Sequence, residues 1–186
     1  MPAWIWVLIA IAVVAVIVWV IVSAMRRKRM QTRFGPEYDR AVSETGSRRR
    51  ATSELTDREK RRRELTIVPL TTAARERYAE QWQTVQARFV DRPSEALREA
   101  DTLVMTVMRE RGYPVENFEQ RSSDISVDHP HVVDNYRAAH GISMADQQEK
   151  ASTEDLRQAM VHYRSLFDEL LGDTPAREQH GDRRVS

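Results

Sequence analysis

Twenty consecutive apolar residues, Ala3–Val22, run without a charge or an interior glycine or proline. At about 1.5 Å per residue, a helix of this length matches the hydrocarbon thickness of a bilayer. A helix is also the one single-segment way to satisfy backbone groups in lipid. Valine and isoleucine dominate the run, and their modest helix propensity in water is overridden where the backbone has no other partner. Trp4 and Trp6 stand near one end and Trp19 near the other, where amphipathic rings would meet the two membrane interfaces. A cleaved signal peptide would carry positive charge before a shorter run. Here Arg26-Arg27-Lys28-Arg29 follows the run and no Lys or Arg precedes it. That order predicts a transmembrane anchor over 1–25, with the N-terminus outside and the C-terminal domain in the cytoplasm of the cell. The same four cations are the expected contact with anionic lipid headgroups, at about 1 kcal/mol each near the surface.

The rest of the chain divides by apolar content and charge. Residues 66–171 hold 43 apolar side chains in 106 positions, enough for a small core. Between Ser23 and Leu65 the charge is +7, and from 66 to 186 it is −6, so the formal total of +1 conceals an asymmetry. The length excludes a multi-domain enzyme. The absence of cysteine excludes a disulfide scaffold, a thiolate nucleophile and cysteine-based metal sites. Arginine outnumbers lysine by 26 to 3, as codon usage in a GC-rich bacterial genome would produce.

Residues 26–65 read as a charged juxtamembrane connector. Gly35-Pro36 interrupts a helix leaving the membrane, with Pro36 suited to a first turn and Glu37 and Asp39 complementing the helix dipole. Gly46 is a stop signal and Ser47 a restart. From Arg48 to Glu64, Leu55 is the one large apolar side chain. Glu54–Arg58, Asp57–Arg61 and Glu59–Arg63 are acid-to-base pairs four residues apart. Such a helix reads as polar on every side, a solvated stalk.

Residues 66–171 read as an all-α bundle of four main helices. One is predicted over about 72–90 with Ala74, Tyr78, Trp82, Val85 and Phe89 on one face. A second runs from Pro93 to Arg111 before Gly112, striped by Leu97, Ala100, Val104, Val107 and Met108, with Leu103 beside them. A short helix near Asn117–Ser123 is followed by a third main helix, capped by Asp128, with Val132, Val133, Tyr136 and Ala139 inward and Gly141 at its end. Ser152 caps the last, whose stripe is Leu156, Ala159, Met160, Tyr163, Leu166, Phe167 and Leu170, up to Gly172. The residues from 172 to 186 read as a disordered tail.

No reaction is written in these residues. His129 and His131 stand two apart and cannot share a helix face, and no HExxH spacing supplies zinc ligands. Glu95, Glu99 and Asp101 lack the Glu-x-x-His partners of a bundle di-metal site and read as an outer helix face. No serine elbow or glycine-rich phosphate loop occurs. Catalytic, cofactor-binding and metal residues are therefore expected to be none. The triplets Arg48–Arg50 and Arg61–Arg63 could contact phosphates. They lack interleaved aromatics and are flanked by acids, which argues against nucleic-acid recognition.

The segments Arg33-Phe34-Gly35-Pro36-Glu37-Tyr38-Asp39, Arg58-Glu59-Lys60-Arg61-Arg62 and Glu154–Leu171 (EDLRQAMVHYRSLFDELL), with Arg111-Gly112-Tyr113-Pro114 between them, resemble a family of bacterial single-pass membrane proteins of actinobacterial type. The resemblance covers nearly the whole chain. It implies a shared architecture and brings no activity, cofactor or catalytic residue with it. The expectation is a non-enzymatic, membrane-anchored adaptor or assembly module with a protein partner. The alternatives are a ligand-binding or enzymatic bundle, marked by a pocket joining His129, His140 or His162 to carboxylates, and a nucleic-acid contact through the connector.

Overall fold

The computed structural model describes residues 3–172; the side chains of 3, 5–10, 26 and 27 lie outside the described set. Every described element is an α-helix, eight in all: α1 Ala3–Phe34, α2 Pro36–Thr45, α3 Arg48–Glu64, α4 Thr72–Arg88, α5 Pro93–Arg111, α6 Phe118–Asp128, α7 Val133–Asp146 and α8 Thr153–Gly172. The all-α class expected from the hydrophobic periodicity is the class observed. The predicted tail falls at 173–186, outside the described residues.

The chain forms two compact units, Met1–Asp57 and Arg58–Ser186, with the division inside α3. In the first, α1 continues for 32 residues, through the apolar run and the basic block. Among the described residues no helix is long and apolar enough to cross a membrane. Within α1 the described side chains are those of Trp4 and of the apolar run from Ile11 onward, and those of 5–10 lie outside the described set. Gly35 and Pro36 end α1 and start α2, with Pro36 in the first turn as its fixed φ favours. Gly46, at φ 64°, closes α2 in the left-handed conformation that glycine adopts at least cost.

α3 departs from the expected all-polar stalk. Ala51, Leu55, Arg58 and Glu59 are all buried, and their spacing of four, three and one puts them on one face. The charged residues among them hid that face from a reading based on apolar periodicity.

In the second unit α4 packs on α5, α5 on α7 and α8, α7 on α8, and α6 on α7. The predicted stripes form the core: Tyr78, Trp82, Leu97, Val104, Tyr136, Tyr163 and Phe167 are all buried in one cluster. Trp82 stacks on Phe167 with ring centroids 4.7 Å apart. Thr71 caps α4 by accepting from the Ala74 amide, and Ser152 with Asp155 forms a reciprocal cap at α8.

Two boundaries differ from expectation. Asp128 is the last residue of α6, not the cap of α7, and α7 starts at Val133 after a turn. The Asp128 carboxylate is engaged elsewhere, as described below. Gly141 lies within α7, which runs to Asp146; neighbouring packing outweighs the cost of about 0.5–1 kcal/mol for an interior glycine. The left-handed turn instead falls at Glu149, φ 57°, where the Lys150 amide donates to the Ala145 carbonyl.

Candidate functional site

The densest polar constellation lies where the end of α3 meets α6. Arg58, Arg61 and Arg62 stand at i, i+3 and i+4, so they share a face of α3. Asp124, Ser126 and Asp128 occupy two successive turns of α6. Arg58 Nη1 donates to Ser126 Oγ at 3.3 Å. Arg61 Nε donates to Asp124 Oδ1 at 3.4 Å, with the Asp124 side chain only 2% exposed. Arg62 Nε donates to Asp128 Oδ2. The Tyr113 hydroxyl donates to the same oxygen at 2.5 Å. Burial and the Asp128 carboxylate push the Tyr113 hydroxyl far above the ordinary tyrosine range, so it remains a proton donor.

The loop before α4 is stitched to the same corner. The Val68 amide donates to the Arg111 carbonyl at 2.9 Å. Gly112 follows at φ 97°, and a Cβ there would stand 2.3 Å from the Thr66 carbonyl oxygen. Buried Arg111 donates from Nη1 to the Leu170 carbonyl at 3.0 Å, placing a cation on the last turn of α8. His129, also buried, has Nδ1 3.4 Å from Glu169 Oε1.

A second polar group lies among α5, α6, α7 and α8. Buried Arg121 donates from Nε to the Tyr136 hydroxyl and from Nη1 to the Val115 carbonyl at 2.5 Å. Its guanidinium carbon is 5.7 Å from the ring centroids of Phe118 and Tyr136, a cation–π arrangement in a desolvated setting. Burial pushes the Tyr136 hydroxyl up to about 12. Burial, reinforced by Asp101, raises Tyr163 further. His140 stacks on Phe118 at 3.6 Å, and burial lowers its pKa against the opposing pull of Asp101.

The expected site residues are distributed as follows. Trp4 and Trp19 are exposed, by 61% and 66%. The side chain of Trp6 and those of Arg26 and Arg27 lie outside the described set, while Lys28 and Arg29 are exposed. Glu95 and Glu99 are paired with Arg92 and Arg88 on the surface. Asp101, expected beside them, turns toward Tyr163 and Tyr136 instead. Arg61 and Arg62, expected as solvated or phosphate-contacting cations, are engaged by α6.

Among the described residues no group of three or more His, Asp and Glu side chains could hold a metal ion. An open groove of 780 Å³ in the second unit runs between α4 and α5 beside Val85, Arg88, Arg98, Glu99 and Leu103, and no histidine lines it. In both polar groups the acids, bases and phenols named above hold helices to one another.

The α3–α6 pairing escaped the sequence reading, although its signal was present: arginines at i, i+3 and i+4 in one segment, and aspartates at i and i+4 in another. Searched against family models, curated proteins and solved structures, the chain matches none.

Proposed function

We propose that this chain is a membrane-tethered, non-enzymatic helical module that acts as an adaptor or assembly factor, with its bundle on the cytoplasmic side. One observation supports the tether above all. Every residue of α1 from Ile11 to Val22 is exposed, the large ones by 42% for Val22 up to 66% for Trp19. A helix apolar on all faces is stable in lipid and carries an intolerable bare surface in water. The basic block that follows in the same helix sets the cytoplasmic side by the positive-inside rule. For the adaptor role, the support is the use of the polar residues: Arg61, Arg62, Tyr113, Arg121 and Asp128 lock helices together.

The test is purification of the full chain from membranes in mild detergent. A stoichiometric protein partner is expected, retained when Arg48–Arg50 are replaced by glutamine. Repeated recovery of the chain alone contradicts the adaptor role. Release of the chain from membranes by alkaline carbonate contradicts the tether.

A further inference from the structure

The first unit contains a groove of 350 Å³ between α1 and residues 49–57 of α3. On the α1 side it is walled by Trp19 and Ser23, which bracket the end of the apolar run at Val22. On the α3 side it is lined by Arg49, Thr52, Ser53, Thr56 and Asp57. If the apolar run lies in lipid, as proposed above, this groove sits at headgroup level, where an indole ring is at home.

Its chemistry is uneven in a useful way. Arg49 supplies a guanidinium suited to a phosphate. Thr52 donates its hydroxyl proton to the Arg48 carbonyl at 2.8 Å, and Thr56 donates to the Thr52 carbonyl at 2.7 Å. With those protons committed, the two hydroxyl oxygens act toward a guest as acceptors. The Asp57 carboxylate is an acceptor as well, two turns of helix from Arg49. A guest must therefore bring one anion at the Arg49 end and several hydrogen-bond donors spread from Thr52 to Asp57, which the separate hydroxyls of a polyol supply better than one ammonium centre. We propose that the groove binds the headgroup of a polyol phospholipid, of the phosphoglycerol or phosphoinositol type. Its phosphate lies on Arg49, its hydroxyls donate to Thr52, Thr56 and Asp57, and its acyl chains run along Trp19. A choline headgroup has no donor for these acceptors, and a second phosphate would meet Asp57.

The inference rests on the membrane tether, and the two are separable. The full chain is purified in mild detergent with equal amounts of phosphatidylglycerol and phosphatidylcholine, and retained lipid is counted by native mass spectrometry. Preferential retention of one phosphatidylglycerol is expected. Arg49→Gln should lower it roughly tenfold. Arg48→Gln, one residue away and outside the groove, should lower it less than about twofold. Equal retention of the two lipids, or equal losses in the two variants, overturns the headgroup site. Displacement by millimolar inorganic phosphate with no lipid preference would assign free phosphate as the guest and overturns it too. If the chain fractionates with membranes in either case, the tether stands and the groove alone fails. A chain recovered in the soluble fraction removes both.

Discussion

The phenol of Tyr113 and the carboxylate of Asp128 are joined by a 2.5 Å hydrogen bond, and Arg62 of α3 reaches the same oxygen. This one acceptor ties the turn after α5, the end of α6 and the end of α3 into a single corner. Tyr113→Phe removes a buried donor to a charged acceptor, and a loss of about 1.5–3 kcal/mol is expected. Arg62→Gln in the same background should cost more than it does alone, because it then strips the shared carboxylate oxygen of both donors. Thermal unfolding of the full chain in detergent gives both values; strict additivity would show that the corner is not one network.

Gly112 tests the same corner by shape. Its φ of 97° and the Thr66 carbonyl 2.3 Å from the place of a Cβ leave no room for alanine. The obstacle is backbone, held by the hydrogen bond from Val68 to the Arg111 carbonyl at 2.9 Å. Gly112→Ala should destabilise by about 2 kcal/mol or more, combining left-handed strain with overpacking. It should also raise amide exchange over residues 65–70. An unchanged melting temperature would contradict the close approach.

The part of the fold legible in the sequence was the part written in apolar spacing. Tyr78, Trp82, Leu97, Val104, Tyr163 and Phe167 repeat at three and four residues, and a helical core follows from that period. The spacing of the arginines and aspartates hinted at the α3–α6 corner without pairing them, because its contacts lie 63 to 68 residues apart in sequence. Arg58, Arg61 and Arg62 carry the same letters whether they meet water or aspartate. Asp128 misled for a related reason: before His129-Pro130 it resembles a cap, while its actual partners, Tyr113 and Arg62, lie outside the local window. Asp101 is the same case, an acid among surface acids turned inward toward Tyr163.

Trp82 and Phe167 stack at 4.7 Å, yet Trp82 Nε1 is buried without a hydrogen-bond partner among the described residues. Stacking area and an unpaired donor oppose each other. Trp82→Phe discards the unpaired donor, worth about 1–3 kcal/mol, while shrinking the ring, so a near-neutral change is expected. Trp82→Ala should cost about 3–5 kcal/mol. Chemical denaturation of the two variants checks this. A Phe variant as damaged as the Ala variant would mean the indole nitrogen is satisfied.

His140 gives the bundle a pH dependence of definite sign. Burial against Phe118 lowers its pKa, so the folded state favours the neutral ring more than the unfolded chain does. Stability from this residue is present above the ordinary histidine value of about 6.5 and is lost as pH falls through and below it. Melting temperatures from pH 8 to 5 should decline more steeply in the wild type than in His140→Gln. Parallel curves would contradict the assignment.

In the proposed topology Ile11–Val22 lies in lipid and the bundle is on the cytoplasmic side. The chain has no cysteine, so single cysteines report without background. The most direct measurement is labelling of Ile17→Cys and Gln148→Cys by a membrane-impermeant maleimide, in intact cells and after the membranes are opened. With this topology Ile17→Cys stays unlabelled until detergent is added, and Gln148→Cys is labelled only once the membrane is opened. Labelling of Ile17→Cys in opened, detergent-free membranes, or of Gln148→Cys in intact cells, would contradict it.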